Sequence, residues 1–297
     1  MVIKRWEKMI PNYRYKPGTY YLMVYIITYA LWFPAAYLSF HDDSGLYMLL
    51  TLIGLITPFF VALFMIYTSK NSDLKKDFIN RFINLRLINP KVLLAFILLM
   101  PLTVLVSIFL SLPFGGSTSQ FQFAEGYSFS SGFVPAYLTL ILASIFEELG
   151  WRGYGFESLQ SRHTFFTASI VFSILWSLWH FPLIFVNNMY QYEIFHENIW
   201  YAVNFFVSII PMGVIISWIY IKNGKSVLAA ILIHISINFL QEALQMTQFS
   251  KCIETVLITI VAAIIIILDK EMAFSKEHLD NGVDELPKMT GSPELTE

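Results

Sequence analysis

Residues 131–160 read SGFVPAYLTLILASIFEELGWRGYGFESLQ. The first half has the apolar character of a membrane-crossing helix, yet it runs directly into Glu147, Glu148 and Arg152. If the helix stops at about residue 150, those charges are its polar end. If it continues to a turn near Ser161 and Arg162, they lie inside a helical bundle, and the fold has a polar centre.

The composition decides the class. Of 297 residues, 56% are hydrophobic, 17% aromatic and only 13% charged, and mean hydropathy is +0.60. This is the profile of a polytopic membrane protein, not of a water-soluble domain. A formal net charge of -2 gives no electrostatic footprint for nucleic acid. The single cysteine, Cys252, rules out an intrachain disulfide and a multi-cysteine metal cluster.

Crossing the hydrocarbon core takes about 20 apolar residues. Eight runs meet that requirement, at approximately 20–40, 46–68, 92–113, 132–150, 164–186, 199–221, 226–247 and 252–268. The predicted fold is therefore an all-α polytopic bundle of about eight transmembrane helices. The first run is too long for a cleavable signal and lacks a small-residue cleavage site, so it is expected to remain as a span. Every Lys and Arg except Lys251 falls in the terminal segments or the even-numbered loops. By the positive-inside rule both termini are cytoplasmic, and a multi-pass protein of the plasma membrane is expected.

Residues 71–90 place Leu74, Phe78, Phe82 and Leu85 at helical spacing among basic residues. That pattern fits an interfacial helix on the cytoplasmic leaflet, and equally a solvated linker helix. The membrane domain is taken as 1–269, with its motif core at about 130–245. The acidic tail 270–297 is expected to be disordered. No internal repeat of the kind found in inverted-repeat transporters stands out.

An ionisable group near a bilayer's centre costs roughly 2.5–3.5 kcal/mol on insertion scales, so its presence marks function. The first, second, third and sixth runs contain none. The fourth carries Glu147, Glu148 and Arg152, the fifth His180, and the seventh His234 with Asn238. Residues four apart share a helix face, whereas neighbours diverge by about 100°. Glu148 can therefore pair with Arg152 while Glu147 points elsewhere, and His234 and Asn238 project together. With the helix continued to Ser161, Glu147 and His180 lie at depths that differ by about 6 Å, on a hairpin whose tip projects into the cytoplasm. Gly150, Gly153 and Gly155 would allow close packing or a kink. His41, His163, His196 and His278 fall outside the runs and read as solvated, and Trp151, Trp176 and Trp179 as packing or interfacial anchors.

Carboxylates, two histidines and an amide around one intramembrane space suit hydrolysis of a peptide bond by activated water. A carboxylate withdrawn from bulk water is the stronger base. Glu147, hydrogen-bonded with His180, would take the proton, His234 and Asn238 would stabilise the oxyanion, and Arg152 would fix Glu148. A metal version uses His180, His234 and Glu148 as ligands of a divalent ion such as zinc, with the other glutamate as base. There is no H-E-x-x-H pattern, and Ser173, Ser177 and Ser236 sit in no nucleophile elbow. Two other classes use the same groups: a non-proteolytic immunity or peptide-binding protein, and a proton-coupled transporter.

EELGWR (147–152), WSLWH (176–180) and HISIN (234–238) resemble, in order, the E-E-x-x-x-R, F-x-x-x-H and H-x-x-x-N motifs of the CPBP family of intramembrane proteases. That family includes the type II CaaX prenyl endopeptidases and the bacterial Abi proteins linked to bacteriocin immunity. The resemblance covers about residues 130–245. It implies an eight-helix bundle, catalysis by Glu147, His180 and His234, and support from Glu148, Arg152 and Asn238. The substrate it implies is a peptide or membrane protein met in the lipid bilayer. The family has been described both as metal-dependent and as glutamate-based. Trp176 departs from the motif, where the family has phenylalanine.

Overall fold

A computed structural model describes residues 13–41, 44–124 and 136–276. It is a bundle of helices: α1 (Pro17–Leu38), α2 (Leu46–Thr68), α3 (Ser72–Ile83), α4 (Pro90–Ser111), α5 (Ala136–Gly150), α6 (Phe156–Gln160), α7 (Phe165–Trp179), α8 (Tyr190–Glu197), α9 (Ile199–Lys222), α10 (Val227–Ala243), α11 (Gln248–Leu268) and α12 (Lys270–Phe274). Among the described residues, extended pairing is limited to one antiparallel bridge between Phe123 and Leu244.

Among the described residues, six helical segments are long and apolar enough to cross a membrane: Pro17–Leu38, Leu46–Thr68, Pro90–Phe114, Phe165–Phe185, Ile199–Lys222 and Gln248–Leu268. Two more predicted runs are helical but differ from that norm. Val227–Ala243 is shorter, and α5 passes without a break through a π-helical turn, Trp151–Gly155, into α6. The protein is thus an integral, multi-pass, all-helical membrane protein.

The continuation of α5 gives the hairpin predicted from residue counting. The chain turns after Gln160, and Thr164 opens α7 by accepting from the Thr167 amide. The turn itself is open, with Arg162 and His163 exposed, but the helix leading to it is covered. Trp151 through Gln160 are all buried, because the N-terminal segment and α3 close over them. Tyr13 and Tyr154 join hydroxyl to hydroxyl at 2.8 Å, and Arg162 donates to the Tyr15 carbonyl.

Without a hydrophobic drive between helices in lipid, association depends on close backbone approach at small residues. Gly150 supplies it for α5: a methyl there would meet the backbone of α2 at Pro58 and Phe59, the Phe59 nitrogen at 2.6 Å.

Helix α3 begins at Asn71, whose side chain accepts from the amides of Asp73 and Leu74. It buries Leu74, Phe78 and Arg81 against the bundle. Leu85, expected on the same face, belongs instead to a 3-10 turn, Leu85–Leu87, and is exposed. The tail is ordered further than its composition implies. Asp269 accepts from the Trp218 indole and pairs with Lys222, α12 follows, and Phe274 packs on Phe166. The expected disorder therefore does not begin at 270; residues 277–297, with His278, lie outside the described residues.

Gly150→Ala is expected to destabilise the protein by about 1–3 kcal/mol, the range for overpacking, read as a lowered thermal midpoint in detergent. An unchanged midpoint would mean that α2 and α5 can separate at no cost.

Candidate active site

Glu147 and Glu148 leave the same turn of α5 in different directions. Glu148 is 0% exposed. Its Oε1 accepts from Arg152 Nη1 at 2.7 Å and from His234 Nδ1 at 2.9 Å. The i,i+4 pair expected from spacing is therefore formed, and it reaches across to α10. A second guanidinium nitrogen, Arg152 Nη2, donates to the Gly213 carbonyl and to Ser217 Oγ on α9, each at 3.3 Å. The guanidinium also lies 4.4 Å from the Phe172 ring centroid, a cation–π arrangement that suits a dry site.

Glu147 faces elsewhere, with Oε2 accepting from Trp176 Nε1 at 2.8 Å and Trp151 Nε1 at 3.3 Å. In sequence both indoles read as packing or interfacial anchors; in the structure each is also a donor to the candidate base. The departure at position 176 therefore has a chemical consequence, because phenylalanine would offer the same aromatic wall but no N–H.

His180 ends α7. Its Nδ1 lies 2.9 Å from the Trp176 carbonyl, a contact that only an Nδ1–H donor satisfies, so the neutral ring keeps Nε2 free as an acceptor. The direct Glu147–His180 hydrogen bond expected from sequence is not formed: the carboxylate takes the indole donors and the imidazole takes the backbone. The two side chains instead line one cavity. His234 presents an edge to the Trp176 ring, and its Nδ1–H is held by Glu148, which leaves Nε2 for the cavity. Asn238 donates one N–H to Ser144 Oγ at 3.2 Å, and keeps a second.

That cavity has a volume of about 150 Å³. Glu147, Trp176, His180, His234 and Asn238 line it, whereas Glu148 and Arg152 do not. Its walls include Leu55, Leu140, Leu183, Ile209 and Met212. It extends past Gln241 to Tyr190 and Lys251, at the end of the bundle away from the hairpin turn.

Of the set His180, His234 and Glu148, the two histidines line the cavity and Glu148 does not. Glu148 lies behind the cavity with Arg152 on the oxygen that His234 also holds, and a guanidinium there opposes a cation. Among the described residues no group of three His, Cys, Asp or Glu side chains is placed to hold a metal ion. Outside the site, His41 and His196 each contact the backbone carbonyl four residues earlier and remain exposed.

The comparisons agree with the geometry. Residues 129–240 match the family model described as Type II CAAX prenyl endopeptidase Rce1-like. The CAAX prenyl protease 2 of Methanococcus maripaludis is 58% identical over 269 residues, which cover 90% of this chain and 99% of that protein. The chain belongs to this family. It is an intramembrane endopeptidase, and the motif resemblance carried by residues 147–152, 176–180 and 234–238 is borne out at the level of family.

Removing one partner of a buried pair strands the other, which costs about 3–5 kcal/mol. Arg152→Met is expected to lower the thermal midpoint sharply and to reduce the yield of folded protein. A variant as stable as the wild type would show that Glu148 finds another partner.

Proposed function

We propose that this endopeptidase hydrolyses its substrate with water activated by Glu147 and His180, without a metal ion in the reaction. The supporting observation is the division of the polar groups: Glu147, His180, His234 and Asn238 share one cavity, while Glu148 and Arg152 are sealed behind it. Water attacks the scissile carbonyl as Glu147 takes its proton, with His180 Nε2 accepting the second hydrogen bond. Charge that develops on the carbonyl oxygen meets Asn238 Nδ2–H and the cavity-facing edge of His234, a donor there whenever Nε2 carries a proton. The proton held by Glu147 then passes to the departing amine, which breaks the C–N bond and leaves a carboxylic acid and an amine.

The name of the Methanococcus relative supports a prenylated peptide as the substrate class. An isoprenoid chain beside the cleavage site suits the apolar part of the wall, Leu55, Leu140, Leu183, Ile209 and Met212, within a lipid-embedded bundle. The distribution of Lys and Arg supports cytoplasmic termini. In that orientation the Tyr190–Lys251 end of the cavity belongs to the opposite side.

With a quenched prenylated peptide, Glu147→Ala and His180→Ala are each expected to lower kcat by about 10²–10⁴, the usual share of general acid–base catalysis. Asn238→Ala should cost about 10²–10³ if it is an oxyanion donor. Wild-type rates in both the Glu147 and His180 variants would sink the mechanism. A chelator should leave the rate unchanged, and loss of activity restored by zinc would return the metal version. Orientation is checked separately: Lys251→Cys in a Cys252→Ser background should label from outside intact cells with an impermeant maleimide, and labelling only after lysis would invert the assignment.

A further inference from the structure

Arg81 lies on α3, in a basic segment that reads as a membrane-surface helix, yet it is only 2% exposed. Its guanidinium enters the bundle at the π turn. Nη1 donates to the Arg152 carbonyl and Nη2 to the Gly153 carbonyl, each at 3.0 Å. Nη1 also donates to Tyr220 Oη at 2.6 Å, and Nε to Asp77 Oδ2 at 2.7 Å. Tyr220 Oη in turn donates to Glu157 Oε1 at 2.9 Å, and Lys225 Nζ reaches Glu157 Oε2 at 2.8 Å. Two cations and two carboxylates thus balance in one network that ties α3, α6, α9 and Lys225 together.

The position of this network is what gives it a bearing on catalysis. A π turn widens the helix by one residue and leaves its carbonyls poorly aligned with the amides that follow. Two successive carbonyls in this turn receive a rigid fork, the geometry that guanidinium offers and ammonium does not. One belongs to Arg152, the residue whose side chain holds Glu148, and Glu148 holds His234 at the cavity wall.

We propose that Arg81 is a positioning residue for the hydrolytic site: by clamping the Arg152 and Gly153 carbonyls it sets the π turn, and through Arg152 and Glu148 the direction of His234. The inference rests on the cavity reading of His234 given above. It requires that a side chain outside the three motifs affect turnover without touching substrate. Because it acts through Arg152, its loss should count for little once Arg152 itself is disturbed.

The test is a double-mutant cycle on the full-length protein in proteoliposomes, with the same prenylated peptide. Arg81→Met is expected to lower kcat about tenfold with KM within twofold. Combined with Arg152→Lys, which keeps the charge but not the fork, the loss should be no larger than for Arg152→Lys alone. Combined with Asn238→Ala, which is not on the chain of contacts, the two losses should multiply. A role in folding alone would give multiplicative losses in both combinations and would overturn the proposal, as would an unchanged kcat in Arg81→Met. Should Arg81→Met fail to fold, Tyr220→Phe removes one Arg81 acceptor and the link to Glu157. It should show the same pattern with a two- to fivefold loss, and multiplicative behaviour there would overturn the idea equally. The outcomes separate from those of the hydrolytic reading: an inactive Glu147→Ala beside an unaffected Arg81→Met refutes only the positioning role, and an active Glu147→Ala refutes the site.

Discussion

One oxygen atom, Oε1 of Glu148, receives both the Arg152 guanidinium and the His234 imidazole. The rest of the site follows from that contact. A charge deep in a membrane bundle is tolerable only if its partners are fixed, and here the partners come from its own helix and from α10, while Arg152 adds bonds to α9. Three helices are thereby held in one rotational setting. Once α5 is turned so that Glu148 faces inward, the next side chain back, about 100° away, has to face another way. That other way is the cavity.

Glu147 is held there by neutral donors. Two indole N–H groups fix the carboxylate without cancelling its charge, whereas a lysine or arginine in the same place would bind it as an ion pair and compete with an incoming proton. The tryptophans also fill volume. Trp151 packs among Tyr20, Tyr21, Phe172 and Trp179, so the donor at 3.3 Å is anchored by the aromatic core that joins α1 to α7. The proposed base is therefore stiffened by apolar packing, and indole donors instead of an ion pair hold its carboxylate.

The parts legible in sequence are those in which both partners sit on one helix or in one count. The Glu148–Arg152 pair needs only the 3.6-residue period, and the depth of Glu147 relative to His180 needs only the decision that the helix continues. The apolar runs are readable for the same reason, since length and hydropathy are local properties. What escapes depends on the rotation of one helix against another. Nothing local says that Trp176 faces Glu147, that His180 turns its Nδ1 to a backbone carbonyl and not to a carboxylate, or toward which end of the bundle the cavity extends. Arg81 escapes for a different reason: a lone arginine in a basic amphipathic segment has the pattern of a solvated or lipid-facing residue, and only the packed π turn makes it an interior one. The burial of Trp151–Gln160 ahead of the hairpin turn escapes in the same way, because part of its covering comes from Tyr13 and Tyr15, more than a hundred residues earlier in the chain.

On the proposed mechanism the adjacent glutamates meet two conflicting requirements within one helical turn. Hydrolysis in a membrane needs a carboxylate that water can reach, and a bundle that keeps its shape needs a buried charge pair that water does not reach, since attraction between charges strengthens as the local dielectric falls. Placing both on one helix, about 100° apart, makes the dry pair the reference against which the proposed base, Glu147, is aligned. The His234 imidazole connects the two sides, with Nδ1 on the dry carboxylate and Nε2 on the cavity. A disturbance of the dry side is therefore felt on the wet side through a single ring, and the π turn that aims Arg152 is the place where such a disturbance would enter.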